Sequence, residues 1–392
     1  MKNVYFIDRF PFNKEFYIRN EFDFLEENGF NVKFLDITKF LKRQKIECTL
    51  PKEYEKFVLR FSSKKEFGEF ILNHINDSVI LSRVPYVASS GWMYYKIFKS
   101  KIPYVIIEHT SFPSINSKTK LEDLRNRYIK FFKKLNFKKV LSKPMEVYHY
   151  YASLLYLKSA HMIITSKINT KSIFDKLVGQ DTTIKYSLSP DYKVAMEVDD
   201  TIDIGEEFAV FVDQYFVHHP DFKTHHIIHD FTENQYYSEI NGFLVAFKKQ
   251  TGLKVVIASH PRRRDAHTDD FLPEFDLLFN KTAELIKKSK IVLLHFSTAI
   301  NFAVIFKKPF LLLNSDMFNN SNVLTGIMMF STFFNKETIN MSDVNSELVS
   351  SQLDLVDEDK YDEFLEKFIR HPKATNETFR DQLFYIYSDL KS

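Results

Sequence analysis

Short apolar runs alternate with amphipathic segments along this chain, and the alternation occurs in two rounds. In the first round, strand-like runs such as Val4–Asp8 and Tyr104–Glu108 are separated by segments with helical periodicity, such as Glu15–Asn28. Strands separated by helices of about 10–15 residues are typical of βαβ units, which build parallel sheets. The sequence therefore predicts an α/β protein, and the second round predicts a second lobe of the same class.

The pattern divides the chain into two lobes and a tail. The remaining predicted strands are Val32–Leu35, Val79–Ser82, His161–Thr165, Phe208–Val212, Leu253–Ala258, Ile291–Leu294 and Phe310–Leu313. The remaining predicted helices are Phe67–Ile75, Trp92–Phe98, Ser153–Ser159, Thr170–Leu177, Ile240–Gln250, Asp276–Ser289 and Ala299–Phe306. Residues 191–207 are acidic with little helical periodicity, so we interpret them as a linker. We expect lobes over 1–195 and 206–360, and a helical tail over 361–392.

Composition limits the class of protein. A chain of 392 residues suits two domains better than one core. The formal net charge of +3 predicts no nucleic-acid partner. The first strand begins right after Met1-Lys2-Asn3, and no window approaches the ~18 apolar residues of a membrane span. We therefore expect a cytoplasmic protein.

Glycine is scarce, which excludes several nucleotide-binding motifs. The chain has 8 glycines, and the closest pair, Gly242 and Gly252, stands ten residues apart. The dinucleotide-binding pattern G-x-G-x-x-G and the phosphate-binding P-loop both need closer glycines. The nucleophile motif G-x-S-x-G of serine hydrolases is excluded for the same reason. Any bound phosphate must therefore contact side chains and the N-termini of helices.

Polar segments lie just past three predicted strands of the second lobe. Asp213 follows the first of these strands, His260-Pro261 follows the second, and Ser297-Thr298 follows the third. Open α/β sheets bind ligands outside the carboxyl ends of their strands. We therefore expect the three segments to line one crevice for an anionic, nucleotide-bearing substrate.

Each segment contains groups suited to a distinct role. Asp213 is the candidate general base, which would accept a proton from the substrate. His260, Arg262 and Arg263 could bind phosphate oxygens, because guanidinium groups bind phosphate bidentately. The other predicted nucleotide contacts are Pro261, His295, Ser297 and Thr298. The last two precede a predicted helix, where hydroxyl and free N–H groups bind phosphate.

Further candidate contacts lie outside these segments. His218 and His219 stand close to Asp213 in sequence, and Glu108 with His109 ends a strand of the first lobe. We interpret all four as substrate or acceptor contacts. The histidines between positions 218 and 229 match no zinc-binding spacing, and only one cysteine occurs in the chain. We therefore predict no metal and no cofactor.

The segment Lys118–Lys143 is basic and interleaved with aromatic residues. A solvated amphipathic helix explains such a composition. The functional alternative is a surface that contacts an anionic membrane or receives an anionic, lipid-linked substrate. On that alternative the protein would be peripheral to the inner face of the membrane.

The order of the three segments resembles that of bacterial sialyltransferases and related polysaccharide transferases. These are metal-independent GT-B glycosyltransferases, in which two Rossmann-like lobes face a central cleft and a C-terminal helix packs back on the first lobe. The resemblance implies Asp213 as the base, and His260 with Ser297 and Thr298 as contacts of the nucleotide. His219-Pro220 is a second His-Pro pair that could take the place of His260-Pro261. The likeness covers roughly residues 208–315 and lacks the family's glycine after the aspartate.

The resemblance implies an inverting transfer of an acidic sugar from its CMP donor to a surface glycan or glycolipid. The sugar would be sialic, pseudaminic or legionaminic acid, or Kdo. The mechanism would need no metal, because fixed cations and dipoles would stabilise the departing phosphate. The alternatives are a GT-B transferase that uses UDP-sugars, a polyol-phosphate transferase of teichoic-acid type, a nucleotide-sugar epimerase and a non-enzymatic scaffold at the membrane surface.

Overall fold

A computed structural model describes most of the chain as two compact units. The described residues are 3–41, 50–74, 77–108, 148–166, 174–199, 201–218, 231–261, 263, 268–319, 321–343, 346–377 and 379–389. The units divide between Leu188 and Ser189 and again between Pro372 and Lys373. The first unit thus contains both ends of the chain, whereas we expected the division near residues 195–206 and at residue 361.

The first unit is built on a parallel sheet of seven described strands. They are β1 (Asn3–Ile7), β2 (Asn31–Asp36), β3 (Val58–Arg60), β4 (Ser78–Ser82), β5 (Tyr104–Glu108), β6 (Met162–Thr165) and β7 (Thr183–Tyr186). Their spatial order is β3-β2-β1-β4-β5-β6-β7. Buried apolar residues cover both faces, as expected for a parallel sheet between helices. The order reverses between β1 and β4, where such sheets bind ligands.

The second unit repeats this plan with six described strands. They are β8 (Phe208–Val212), β9 (Lys254–Ser259), β10 (Asp276–Phe279), β11 (Ile291–Leu294), β12 (Phe310–Asn314) and β13 (Thr338–Asn340). Their order is β10-β9-β8-β11-β12-β13, with every pair parallel. The order reverses between β8 and β11. Two Rossmann-like lobes, predicted from the alternating pattern, are therefore confirmed.

Helices connect the strands in both units. In the first unit the described helices are Lys14–Arg19, Phe22–Glu27, Lys52–Glu55, Lys64–Asn73, Gly91–Ser100 and Phe379–Asp389, and residues 148–154 are helical as well. In the second they are Pro190–Glu197, Glu233–Thr251, Thr282–Lys288, Ile300–Ile305, Asn322–Phe334, Ser346–Gln352 and Glu358–Phe364, which a π-helical turn over Leu365–Ile369 continues. None of these described helices is both apolar enough and long enough to span a bilayer.

Local chemistry sets the boundaries of Glu233–Thr251, the longest helix among the described residues. It begins at Thr232, whose hydroxyl accepts a hydrogen bond from the Gln235 N–H, while the Gln235 side chain accepts one from the Thr232 N–H. This reciprocal pair is a capping box. The helix ends at Gly252, which has a φ of 71° in the left-handed region that glycine adopts without strain.

Several predicted segments differ in the structure, among them the predicted helix Ser153–Ser159, of which only residues 153 and 154 are helical. The predicted helix Glu15–Asn28 is two helices, because the chain turns at Glu21 with a left-handed φ of 56°. The predicted helix Asp276–Ser289 begins with strand β10, which pairs with β9, and becomes helical only at Thr282. The segment interpreted as a linker, residues 191–207, overlaps the helix Pro190–Glu197, which Ser189 caps by accepting a hydrogen bond from the Tyr192 N–H.

The C-terminal region contributes to both units in turn. Tyr361, Phe364 and Phe368 belong to the core of the second unit. The last described helix, Phe379–Asp389, belongs to the first unit and buries Leu383 and Ile386 against its sheet. The predicted packing of a C-terminal helix on the first lobe is confirmed, although the preceding residues of the predicted tail belong to the second lobe.

Candidate functional site

The sheet order brings the three polar segments of the second lobe together. Strands β9, β8 and β11 are neighbours, so the segments that follow them lie at one edge. The Asp213 N–H donates to the Ala258 carbonyl at 3.1 Å, which continues the β8–β9 ladder into the loop. The Gln214 side chain joins the third segment, because its amide oxygen accepts from the Phe296 N–H at 3.0 Å and its amide nitrogen donates to the Phe296 carbonyl.

Asp213 is buried, and both of its carboxylate oxygens accept hydrogen bonds. Oδ1 accepts from the Tyr215 N–H at 2.8 Å. Oδ2 accepts from the His260 N–H at 3.2 Å and from Nε of Arg263 at 2.8 Å. The carboxylate thus holds the turn after β9 in place. Three N–H donors therefore engage three of the about four lone-pair positions of the carboxylate.

Arg263 lies inside the lobe and does not face solvent. Its side chain is 0% exposed. Nη1 donates to Asp270 at 2.5 Å, and Nη2 donates to the Tyr237 hydroxyl at 2.8 Å. Burial is the largest single influence and lowers the pKa of Arg263, but the hydrogen bonds and charges of Asp213, Tyr237 and Asp270 together outweigh burial and raise that pKa above its ordinary value. We expected Arg263 to bind phosphate; the structure makes it the cation of an internal network.

His260 and Pro261 occupy the edge that Asp213 organises. His260 is half-buried, Pro261 is exposed, and the Arg263 N–H donates to the His260 carbonyl at 2.9 Å to close the turn. The His260 ring is nearly parallel to the Tyr215 ring, with the centroids 6.2 Å apart. Tyr215 therefore limits where the imidazole can lie. Arg262 and the second His-Pro pair, His219-Pro220, lie outside the described residues.

Ser297 and Thr298 lie after β11, with Ser297 half-buried and Thr298 exposed. The Ser297 hydroxyl accepts a hydrogen bond from the Ala299 N–H at 3.2 Å. The helix that follows is short and begins at Ile300, one residue later than predicted, with Ala299 at its N-cap. The hydroxyls of Ser297 and Thr298 are thus at the edge where the prediction puts them.

His295 is fully buried at the end of the same strand. Its Nδ1 lies 2.8 Å from the Leu313 carbonyl, which can only accept, so Nδ1 carries the proton. Nε2 then accepts from the Tyr236 hydroxyl at 3.1 Å. Burial lowers the pKa of His295 to about 4, so the ring is neutral near pH 7. We expected a nucleotide contact; the structure gives both ring nitrogens partners inside the core.

A second cluster lies next to this network. Nε2 of His218 lies 3.2 Å from Oε1 of Glu233 and 3.9 Å from Oδ2 of Asp270. Their ligand atoms all lie within 4.8 Å of one another, so the three residues are the candidate group for a cation among the described residues. Glu233 and Asp270 had no signal in the sequence, because acidic residues in helix starts and loops are common.

The predicted contacts in the first lobe are only partly described. Glu108 ends β5, where its backbone pairs with Thr165 of β6, and its side chain is buried. His109 and the segment Lys118–Lys143 lie outside the described residues. Glu108 as an acceptor contact, His109, and contact of the basic segment with a membrane stay predictions.

Known proteins show a likeness in fold but not in sequence. No known protein family and no curated protein sequence matches the chain. The chain is similar in structure to CalG4, the calicheamicin glycosyltransferase, at 9% identity and a TM-score of 0.50, covering 100% of this chain and 97% of that one. It also aligns with the UDP-GlcNAc 2-epimerase of Methanocaldococcus jannaschii, at 11% identity, 99% and 100% coverage and a TM-score of 0.48. At these identities the likeness shows the fold alone, which is of the GT-B type as predicted.

Proposed function

We propose that the protein is a glycosyltransferase that binds the nucleotide of a nucleotide-sugar donor at the carboxyl edge of the second sheet. The observation that carries the proposal is that hydrogen bonds join the three polar segments at this edge. Asp213 binds the backbone of His260, and the side chain of Gln214 binds the backbone of Phe296. A GT-B fold with polar side chains gathered where its second sheet reverses order is suited to a nucleotide sugar.

His260, Ser297 and Thr298 are the proposed contacts of the donor phosphate. All three retain some exposure at the edge, whereas Arg263 and His295 are enclosed. An imidazole and two hydroxyls can donate hydrogen bonds to phosphate oxygens, which gain charge as the glycosidic bond to the nucleotide breaks. Pro261 and the neighbouring Arg262 complete the proposed phosphate site.

We assign the general base to His218 in place of Asp213. Asp213 already accepts three N–H hydrogen bonds, whereas His218 is half-buried beside the carboxylate of Glu233. An imidazole can accept a proton near pH 7, and the carboxylate of Glu233, 3.2 Å from Nε2, would stabilise the imidazolium that results. In the step, the proton of the acceptor hydroxyl passes to His218 and the acceptor oxygen bonds to the anomeric carbon. The bond between the anomeric carbon and the phosphate oxygen breaks, and its electron pair leaves with the nucleotide phosphate.

The proposal also names the class of sugar donor and the class of acceptor. The sequence resemblance favours a CMP-linked acidic sugar, while a UDP-sugar is the alternative for the same fold. The acceptor would be a surface glycan or a glycolipid at the cytoplasmic face of the membrane, with Lys118–Lys143 as the contact with anionic lipid.

The test is nucleotide release from candidate donors by the full chain. CMP-N-acetylneuraminic acid and UDP-N-acetylglucosamine are incubated separately, with and without bacterial glycolipid extract, and the released nucleotide and the sugar product are measured. We expect release that depends on the extract, with a glycolipid product that bears the donor sugar. His218→Ala should lower kcat by about 10²–10⁴, the usual share of a general base, and Lys248→Met, an exposed change, should not. Conversion of the free nucleotide sugar without transfer would identify an epimerase and contradict the proposal.

A further inference from the structure

Asp8 and Arg83 follow the two central strands of the first lobe. Asp8 comes directly after β1 and Arg83 directly after β4, and Ile7 is the register partner of Ser82. The Arg83 N–H donates to the Ile7 carbonyl at 2.9 Å, which fixes the two loop starts against each other. The sheet reverses order between these strands. Sheets of this type bind ligands at that point.

The guanidinium of Arg83 has one edge without a partner. Nε and Nη2 are buried, and neither has a hydrogen-bond partner within the part of the chain that the structure describes. These two atoms form the side of the guanidinium that binds two oxygens of one carboxylate or phosphate in parallel. The Phe16 ring lies 5.6 Å from the guanidinium carbon and limits its movement.

The positive charge of Arg83 is only partly compensated by the nearby carboxylate of Asp8. Burial lowers the pKa of Arg83 to about 10, and the charge of Asp8 only partly offsets that effect. Burial likewise raises the pKa of Asp8, against the charge of Arg83. Arg83 therefore remains a cation near pH 7, and its buried N–H groups lack the hydrogen bonds that buried donors normally have. An anion bound at that edge would supply them.

We propose that Arg83 binds an anionic group of a ligand, a carboxylate or a phosphate, through Nε and Nη2 at the carboxyl edge of the first sheet. Asp8 lies at the same edge. Its negative charge repels an anion unless that anion carries a proton or binds together with a second cation. The site belongs to the first lobe, whereas the phosphate contacts proposed above belong to the second, and it goes beyond the proposed function because it concerns a second anionic group. A phosphate and a carboxylate both offer two oxygens to this edge of the guanidinium, and binding of inorganic phosphate and of acetate distinguishes the two groups.

The test is binding of inorganic phosphate and of sodium acetate to the full chain. Binding is measured by the shift in unfolding temperature, with sodium chloride of equal ionic strength as the reference. We expect saturable stabilisation by at least one of the two anions. Arg83→Met should weaken that binding by about 10- to 100-fold, the loss expected for charge-assisted hydrogen bonds. Arg60→Met removes an exposed arginine of the same lobe, which pairs with Glu55, and should leave the affinity unchanged.

Two further variants keep the proposal open to refutation. Arg83→Lys retains the cation but lacks the two-atom edge, so it should weaken binding by about tenfold even if Arg83→Met does not fold. Lys248→Met, an exposed change in the second lobe, should leave phosphate affinity unchanged, and binding that the Arg83 variants weaken is assigned to the first lobe whether or not the protein binds nucleotides. Unsaturable anion effects in the natural protein, or equal affinity in the natural protein and Arg83→Lys, would overturn the inference.

Discussion

Nε of Arg263 lies 2.8 Å from Oδ2 of Asp213, and neither side chain is exposed to solvent. Arg263 also contacts Asp270, so one buried cation pairs with two carboxylates next to the proposed donor site. The guanidinium carbon lies 4.9 Å from the Tyr215 ring centroid and 5.0 Å from that of Phe271. This network holds the turn that carries His260, so it stabilises both the fold of the lobe and the geometry of the edge.

Removal of this cation should destabilise the protein strongly. Arg263→Met leaves Asp213 buried without its partner, and breaking a buried pair in this way costs about 3–5 kcal/mol. The free energy of unfolding is measured by urea denaturation. Lys248→Met is the matched control, because its pair with Glu274 is exposed and should contribute about 0–1 kcal/mol. Equal stability of the two variants would refute the structural role of Arg263.

Gly326 should be essential for the position of the segment after β11. A Cβ atom at Gly326 would collide with the Phe296 ring, so Gly326→Ala should cost about 1–3 kcal/mol by overpacking. It should also weaken nucleotide binding, because Phe296 precedes Ser297. Gly242→Ala is the control: its Cβ would meet nothing within 4 Å, and alanine in that helix should add about 0.5–1 kcal/mol. Both are measured by thermal unfolding with and without nucleotide.

The buried His295 should make stability depend on pH in a defined window. Burial lowers the pKa of His295 to about 4, whereas its ordinary value is 6.5. Between those values the unfolded chain binds more protons than the native one, so the free energy of unfolding falls as pH falls, by up to about 3 kcal/mol. Above that window the ring is neutral in both states and contributes nothing. Urea unfolding at several pH values should show a smaller slope for His295→Gln, and an identical slope would contradict the assignment.

Metal chelation should leave transfer activity unchanged. Asp270, one of the three residues that could hold a cation with His218 and Glu233, already pairs with Arg263. The prediction of a metal-independent reaction is checked by the initial rate of nucleotide release before and after dialysis against excess EDTA. A loss of activity that Mn²⁺ or Mg²⁺ restores would instead assign these three residues to a metal site.

Strand positions could be predicted from the sequence because buried parallel strands are continuous apolar runs. The predicted strands Phe208–Val212 and Ile291–Leu294 have the observed bounds of β8 and β11. Three short strands at the sheet edges, β3, β7 and β13, are not predicted, because they bury fewer residues and their composition is not distinctive. Asp276–Phe279 was predicted as helix because periodicity cannot separate a short edge strand from the helix that follows it.

The sequence predicts where the candidate site lies, but it does not predict the roles of the individual residues. The rule that ligands bind past strand ends located Asp213, His260 and Ser297 at one edge. Their partners, such as Tyr237 for Arg263 and Tyr236 for His295, come from a helix distant in sequence. Such long-range packing decides which charged side chain faces solvent, and a local sequence motif carries no information about that packing.

The most direct test of the account is nucleotide binding to the second lobe. Thermal shifts of the natural protein and of His260→Ala are measured with CMP, UMP, CDP and UDP at equal concentrations. We predict that at least one of these nucleotides stabilises the natural protein saturably, and that His260→Ala weakens its binding at least tenfold while its own unfolding temperature is unchanged. A cytidine preference would support a CMP-sugar donor and a UDP preference a UDP-sugar donor. The absence of stabilisation by all four, or equal binding by His260→Ala, would contradict the proposed donor site.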